Sequence, residues 1–522
     1  MKKKTIERLI PQWLPFLICA LPSLILLVSV PPIFNEIDSA TVLTSEPKFV
    51  VPHWPPLYPL MLYFVVHLLN LSDAAIYTVL IVQHIISITA AIYLTTAMKG
   101  RLPRLLMAVF ACIANYFSLF SHGIFTEAFS ISFLMLFLGA TTRLGLAADT
   151  ELDSNATKLT FTFFPNAAPH SKEIAITRRT LALAVATIAL FFMTASRHNM
   201  ILFGALLPAM YLIRPLLRVP GKVILALATS IASAVVALLA VHFFNDLVCE
   251  LLHNESTPLY GRVAVYRVHG LPWNTMPQEE RETLINAMLK RCPDGFSKQA
   301  LHVMIEDNDP WMGSLKRLKE IAPHFGAKTA DQAMDSASMA FFLTPNKYLT
   351  SAVLSTFKLY LGDMSGWQGG PMQSFFDGCH NSIADYQSGK IKTEPSMLNI
   401  NSIKSADPNV YKRISTLINP ALFDACCNYF WLGLLAIALS AASFARKVSQ
   451  TALPYCLAIA ASAFLYAILS SIVTIFIPRY VAPMNVCCWI MLAVAIISLL
   501  NLKAGEGISP EAASEKVPTE NG

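Results

Sequence analysis

The chain has 522 residues, 55% of them hydrophobic and only 14% charged, with a mean hydropathy of +0.52. Soluble domains carry about 25% charged residues, so this chain lacks the polar surface to coat a water-soluble globule, and that class is excluded. The net charge of +6 does not point to nucleic acid, because the placement of the charges matters more than their sum.

Several apolar runs reach the ~20 residues needed to cross a hydrocarbon core of about 30 Å, and the expected fold class is an all-α polytopic membrane protein. The basic start MKKK and the apolar segment behind it mimic a signal peptide. That segment is long and no small-x-small cleavage site follows, so it is read as an uncleaved first span. Hydropathy places ten spans near 13–32, 75–98, 104–121, 124–144, 180–196, 199–217, 222–243, 426–445, 452–476 and 481–502. Two further apolar stretches, 57–71 and 340–361, suit helices at the membrane interface. The chain divides into a membrane core of seven spans (1–244) with an acidic first external loop (33–74), a large external region (245–425), three C-terminal spans (426–502) and a Gly/Pro/Glu-containing tail (503–522).

Short-loop basic residues set the orientation. One side collects Lys2, Lys3, Lys4, Arg8, Lys99, Arg101, Arg104, Arg143, Arg178, Arg179, Arg214, Arg218, Lys222, Arg446, Lys447 and Lys503, whereas the other holds Lys48, Arg197 and Arg479. Both termini are therefore expected in the cytoplasm. Counting 57–71 as a span would invert the basic 99–104 loop.

The external side carries the residues of chemical interest. Glu36 and Asp38, in IFNEIDSATVL, follow the first span directly. Carboxylates there are either solvated loop charges or groups that deprotonate an acceptor or hold a divalent cation. The stretch VVPHWPPLYPL (50–60) is stiffened by Pro52, Pro55, Pro56 and Pro59; Trp54 and Tyr58 suit headgroup depth, and His53 is a structural histidine or an active-site base. Arg197 (TASRHNM) and Arg479 (FIPRYVAP) emerge from spans on the side otherwise poor in basic residues. A guanidinium at that depth needs an anionic partner, and its fork matches phosphate oxygens, a lipid headgroup or a loop carboxylate. His198 and Tyr480 adjoin these arginines. Glu127 opens the fourth span, facing the same cavity or capping its own helix.

Other polar residues carry weaker signals. EDNDPW (306–311) lacks the glycine and closing glutamate of a calcium loop, Asp377 and His380 stand in FFDGCH, and Gln83 and His84 read as packing residues within the second span. The ten cysteines show no zinc or redox spacing. No GxxxxGK[ST], strand-following GxGxxG or HExxH occurs, so nucleotide hydrolysis, dinucleotide redox and zincin chemistry lack a motif.

Taken in order, NEIDSA, PPLYPL, the TEA at 126–128, TASRHN, a large external region and a late RY resemble the GT-C superfamily of integral-membrane glycosyltransferases. The similarity is to the protein-mannosyltransferase-like and aminoarabinose-transferase-like branch (glycosyltransferase families 39 and 83), over about 1–220 and again near 472–500. The resemblance implies a polyprenyl-phosphate-linked sugar donor and a lipid, glycan or protein acceptor, meeting on the external face of a membrane, in bacteria the periplasmic face of the inner membrane. It implies Asp38 as the loop acid with Glu36 as its neighbour, a divalent metal (Mg, Mn or Zn) held by these two, and Arg479, Arg197 and Tyr480 around the donor phosphate. His53, Glu127 and His198 would line the site. The family's acid pair is commonly adjacent, whereas Ile37 separates the two here. A glycan polymerase or ligase of the O-antigen type, using a diphosphate-linked donor, would also want external arginines but not the loop acids. A transporter would instead place charges at the membrane midplane.

Overall fold

A computed structural model describes residues 9–30, 32, 56–69, 73–116, 122–123, 126–146, 157–160, 173–176, 178–218, 223–251, 265–306, 313–325, 329–361, 429–473 and 481–505, with a few isolated positions between 380 and 413. A helix covers each of the ten expected segments. These are α1 (Leu14–Ser29), α3 (Asp73–Thr95), α4 (Arg101–Tyr116), α5 (Thr126–Leu146), α6 (Arg178–Ser196), a 3-10 helix (His198–Ala205) running into α7 (Leu206–Arg218), α8 (Val223–Leu251), α14 (Tyr429–Ala445), α15 (Ala452–Val473) and α16 (Ala482–Gly505). Five of them, α3, α5, α8, α15 and α16, are long and apolar enough to cross a membrane, and the protein is membrane-integral. The remaining five are shorter or more amphipathic: α1 has 16 residues, and α4 carries Arg101 and Arg104 in its first turn.

Side-chain hydrogen bonds define the two ends of the bundle. At one, Arg101 donates to the Ile10 carbonyl at 3.1 Å and Arg104 to the Met98 carbonyl at 3.0 Å. Arg143, near the end of α5, donates to the carbonyls of Gly139 and Tyr93 and to Thr96 Oγ1, with its guanidinium 3.7 Å from the Tyr93 ring centre. Those contacts gather the start of α1, the α3–α4 turn and the end of α5 at a single basic end. At the opposite end the His122 ring meets the carbonyl of Val30, and Arg197 meets Glu127. From α1 to α6 the described helices therefore alternate in direction between the two ends.

The core lies among α1, α3–α7 and α14–α16, filled by Ala, Leu, Met and aromatic side chains. Alanine and glycine let the helices approach closely, as membrane packing demands. At Gly139 a Cβ would stand 2.9 Å from Leu94 Cα and 2.9 Å from Tyr93 Cδ1, so α3 and α5 touch backbone to backbone. By contrast, α8 leaves Ile224, Leu225, Val236, Leu239 and Phe243 exposed along its length, which is the pattern of a peripheral lipid-facing helix.

The apolar stretch at 57–71 forms α2 (Leu57–Leu68). It does not stand apart from the bundle: Tyr58 and Leu62 pack with Ala75, Ile76, Val79 and Leu80 of α3 and with Ala128 and Phe129 of α5. Tyr58 meets Gln83, ten residues into α3, and Leu68 lies just before the start of α3, so α2 runs antiparallel along the first half of α3. Two short antiparallel strands, β1 (Thr157–Thr160) and β2 (Glu173–Ile176), pair between α5 and α6, in register Thr157 to Ile176.

Between α8 and α14 a helical unit builds its own core. It contains a short helix at 265–269 followed by α9 (Gln278–Leu289), α10 (Gly295–Glu306), α11 (Gly313–Ile321), α12 (Ala330–Phe342) and α13 (Lys347–Tyr360), packed around Trp273, Phe296, Met304 and Phe341. Thr329 closes α12 with a capping box to Gln332, and Pro345 separates α12 from α13, where Asn346 caps the next helix. Helix α13, within the stretch expected at the interface, joins this unit to the bundle: Phe357 meets the Phe464 ring edge-on at 5.3 Å, and Tyr360 is buried in the main core.

Candidate functional site

The end of the bundle opposite the basic loops brings together two of the residues singled out in the sequence. Glu127 stands in the first turn of α5, where the helix dipole favours a carboxylate. Arg197 follows α6 in an extended conformation, φ −158° and ψ 110°, which ends the α-helix and turns the chain into the 3-10 helix. Its N–H donates to the Met193 carbonyl, and its own carbonyl accepts from Met200 N–H at 3.0 Å. The two side chains form an ion pair, Arg197 Nη1 to Glu127 Oε1 at 2.5 Å, with only 9% and 3% of their surfaces exposed. Thr126 Oγ1 donates to the second carboxylate oxygen at 3.0 Å. Burial at this level requires the pairing, since either charge alone would be costly away from water. Arg197 thus meets a carboxylate, carried by the first turn of α5 and not by a loop.

Beside the pair lies a polar floor that residue spacing did not reveal. Gln83 of α3 accepts from Tyr58 OH at 2.8 Å and donates to the Gly123 carbonyl at 2.9 Å. Its neighbour His84 contacts His122 Nδ1 through Nε2 at 3.0 Å, and His122 Nε2 lies 2.8 Å from the Val30 carbonyl. A carbonyl only accepts, so neutral His122 carries its proton on Nε2 and accepts at Nδ1 from His84 Nε2–H. Val30 and Tyr58 flank the acidic loop on either side; Gln83 holds Tyr58 directly, and His84 reaches Val30 through His122. His122 was the legible clue: a histidine in the short connection directly before Thr126-Glu127.

Further along the same end, Asn199 Nδ2 donates to Tyr466 OH of α15 at 2.9 Å, and Tyr466 packs on Phe203 of the 3-10 helix. Arg267, from the large helical unit, is 97% buried; it donates to Thr356 Oγ1 of α13 at 3.1 Å and to the Ser471 carbonyl in the last turn of α15. Burial pushes the guanidinium down to about 10, opposed by the nearby Tyr360 phenol, and leaves it charged at neutral pH. Nothing in the composition of 245–425 marked Arg267.

Glu36, Asp38, His53, Arg479 and Tyr480 lie outside the described residues, as do Asp377 and most of EDNDPW; the backbone of His198 is described as the first residue of the 3-10 helix. Among the described residues no group of His, Cys, Asp and Glu could hold a metal ion, and Glu127 is already neutralised by Arg197. The residues in hand therefore do not build a metal site, and the metal expectation stays with Asp38 and Glu36. No family model matches the chain, and no curated protein matches it either.

Proposed function

We propose that the protein is a GT-C-type glycosyltransferase that moves a sugar from a polyprenyl-phosphate donor to a lipid, glycan or protein acceptor. The reaction is placed at the acidic end of the bundle, on the external face, which in a bacterial inner membrane is the periplasmic one. One observation carries this reading. The buried Glu127–Arg197 pair lies at the end of the bundle where Val30 and Tyr58 anchor the two flanks of the loop bearing Glu36 and Asp38. The connection bearing Arg479 leaves α15 at this same end, beside the Arg267–Ser471 contact. These contacts support a reading in which acids for the acceptor and guanidinium groups for a phosphate share one end of the molecule.

In this mechanism Asp38, or Glu36 beside it, takes the proton of the acceptor hydroxyl as its oxygen attacks the anomeric carbon from the face opposite the donor phosphate. The bond from the anomeric carbon to the phosphate oxygen breaks with inversion, and the electron pair leaves on the polyprenyl phosphate. Arg479 and Arg197, with Tyr480 as a hydroxyl donor, stabilise that charge in a setting shielded from water, where such contacts are strongest. Glu127 fixes the guanidinium plane of Arg197; His53 and His198 line the approach.

The test is transfer of radiolabelled sugar from a polyprenyl-phosphate donor by the purified protein in lipid nanodiscs. Asp38→Asn is expected to lower turnover by about 10²-fold or more, and Arg479→Ala by about 10²-fold. Full turnover in both Asp38→Asn and Glu36→Gln would overturn the mechanism. Solute uptake into proteoliposomes without a covalent product would overturn the enzymatic reading as a whole.

A further inference from the structure

Helix α1 is held against the antiparallel α3 at two levels, eleven residues apart on each helix and so about 16 Å along the bundle. Toward the basic end, Cys19 Sγ lies 3.3 Å from Thr95 Oγ1. At the other level the Val30 carbonyl, at the end of α1, reaches His84 in the middle of α3 through the His122 ring. Both imidazoles are buried, at 1% and 0% exposure. Their hydrogen bonds fix their protons. His122 gives its Nε2 proton to the Val30 carbonyl, 2.8 Å away, and accepts at Nδ1 from His84 Nε2–H at 3.0 Å. His84 Nδ1 is left as a bare lone pair, buried and without a hydrogen-bond partner among the described residues.

A buried imidazolium needs a counter-charge. Among the described side chains, the charged groups on the elements packed against α3 are Arg101 and Arg104 of α4 and Glu127 and Arg143 of α5. The other titratable groups there are Cys19 of α1, Tyr58 and Tyr63 of α2 and Cys112 of α4, with Asp73, Tyr77 and Tyr93 on α3 itself. Arg101, Arg104 and Arg143 lie at the far, basic end. Asp73 stands eleven residues from His84, at the start of α3. Glu127 is held by Arg197 and Thr126, and Tyr58 is bonded to Gln83. The set therefore offers no carboxylate to neutralise a charged pair.

We infer that His84 and His122 form an acid-sensitive latch: neutral, they clip the end of α1 to the middle of α3, and doubly protonated, they release it. The first proton goes to His84 Nδ1 and leaves the contact intact. The second takes the His122 Nδ1 lone pair that accepts from His84, so two N–H groups and two like charges would face each other across 3.0 Å. An opened end takes up both protons in water, and acid therefore favours it. The latch lies at the end of the bundle that carries the Glu127–Arg197 pair, and it does not depend on the transfer reading.

The experiment follows amide exchange over 26–30 in the full-length protein in nanodiscs, corrected for the intrinsic rate, from about pH 7.5 to about pH 5. The wild type is expected to exchange about tenfold faster at the acid end. His84→Gln combined with His122→Gln keeps a chain of amide hydrogen bonds to the Val30 carbonyl but cannot titrate. Its exchange should match the wild type at neutral pH and stay flat on acidification. A wild type with flat exchange overturns the latch, and so does an acid rise that survives in the double variant. Should the double variant exchange fast at every pH, ring-nitrogen NMR spectra of the histidine-labelled wild type decide. Two neutral rings that become fully protonated over the interval in which exchange rises support the latch; rings that stay neutral through that rise overturn it.

Discussion

Glu127 and Arg197 show what a pair of charges does to a membrane core. Each is tolerable where it lies because the other is there, and the pair tethers the start of α5 to the end of α6. Breaking a buried pair from one side costs about 3–5 kcal/mol, whereas removing both charges together can be neutral. Glu127→Gln is therefore expected to lower stability by about 3 kcal/mol in a denaturation series in detergent. Glu127→Gln combined with Arg197→Met should recover most of that loss without recovering transfer. An additive double variant would show that the two side chains act independently. In the sequence, Glu127 and Arg197 could be marked one at a time, as charges at the ends of spans. Their partnership was not legible, because it depends on which helices pack together.

At the level of elements, the helices themselves are the most legible feature, since long apolar runs are dictated by bilayer thickness. How they pack is less so. Gly139 looks like one small residue among many, yet it sets the distance between α3 and α5. Gly139→Ala is expected to destabilise the protein by about 1–3 kcal/mol, because the added carbon meets the Leu94 backbone; an unchanged melting temperature would mean that α5 shifts freely. The antiparallel course of α2 along α3 escaped the sequence reading because its proline-led start and short length suit an interfacial helix equally well. The strand pair β1–β2 carried no periodic signal strong enough to separate it from loop. On the helical unit, Glu280 in the first turn of α9 accepts from Lys347, 2.8 Å away, and from Tyr348 OH at the start of α13. The bond from Lys347 holds the Glu280 carboxyl below its ordinary range, and the same contact raises the Lys347 ammonium. With Glu280 lowered, its contribution is complete above the ordinary carboxylate range and is lost as pH falls through the lowered value. With Lys347 raised, its contribution is complete below the ordinary lysine value and is lost as pH rises through the raised one. Amide exchange over 278–282, corrected for the intrinsic rate, should thus be slowest across the neutral window and speed up on both sides. In Glu280→Gln the acidic rise should be absent.

For the whole molecule, side-chain contacts assign several described turns to an end without reference to a bilayer. Lys99, Arg101, Arg104, Arg143, Arg446 and Lys447 fall at one end, and the helical unit of 265–361 falls at the other through Arg267 and α13. In a background lacking native cysteines, Lys99→Cys is expected to react with a membrane-impermeant maleimide only from the cytoplasmic face, and Glu279→Cys only from the external face. Labelling of both from one face would contradict the up-and-down order. That the basic turns share one end was legible because charge bias acts on short loops; the docking of the helical unit was not, because a single buried arginine and one aromatic contact secure it. The 3-10 helix at His198–Ala205 bears on the dimensions of the assembly. Eight residues rising about 2.0 Å each, followed by thirteen rising about 1.5 Å, reach about 35 Å, whereas the same residues wound as α-helix throughout would reach about 31 Å. The tighter winding lengthens a segment that would otherwise only just match the hydrocarbon thickness. It thereby sets Arg197 about 4 Å farther from the Arg218 end than an α-helix of equal residue count would.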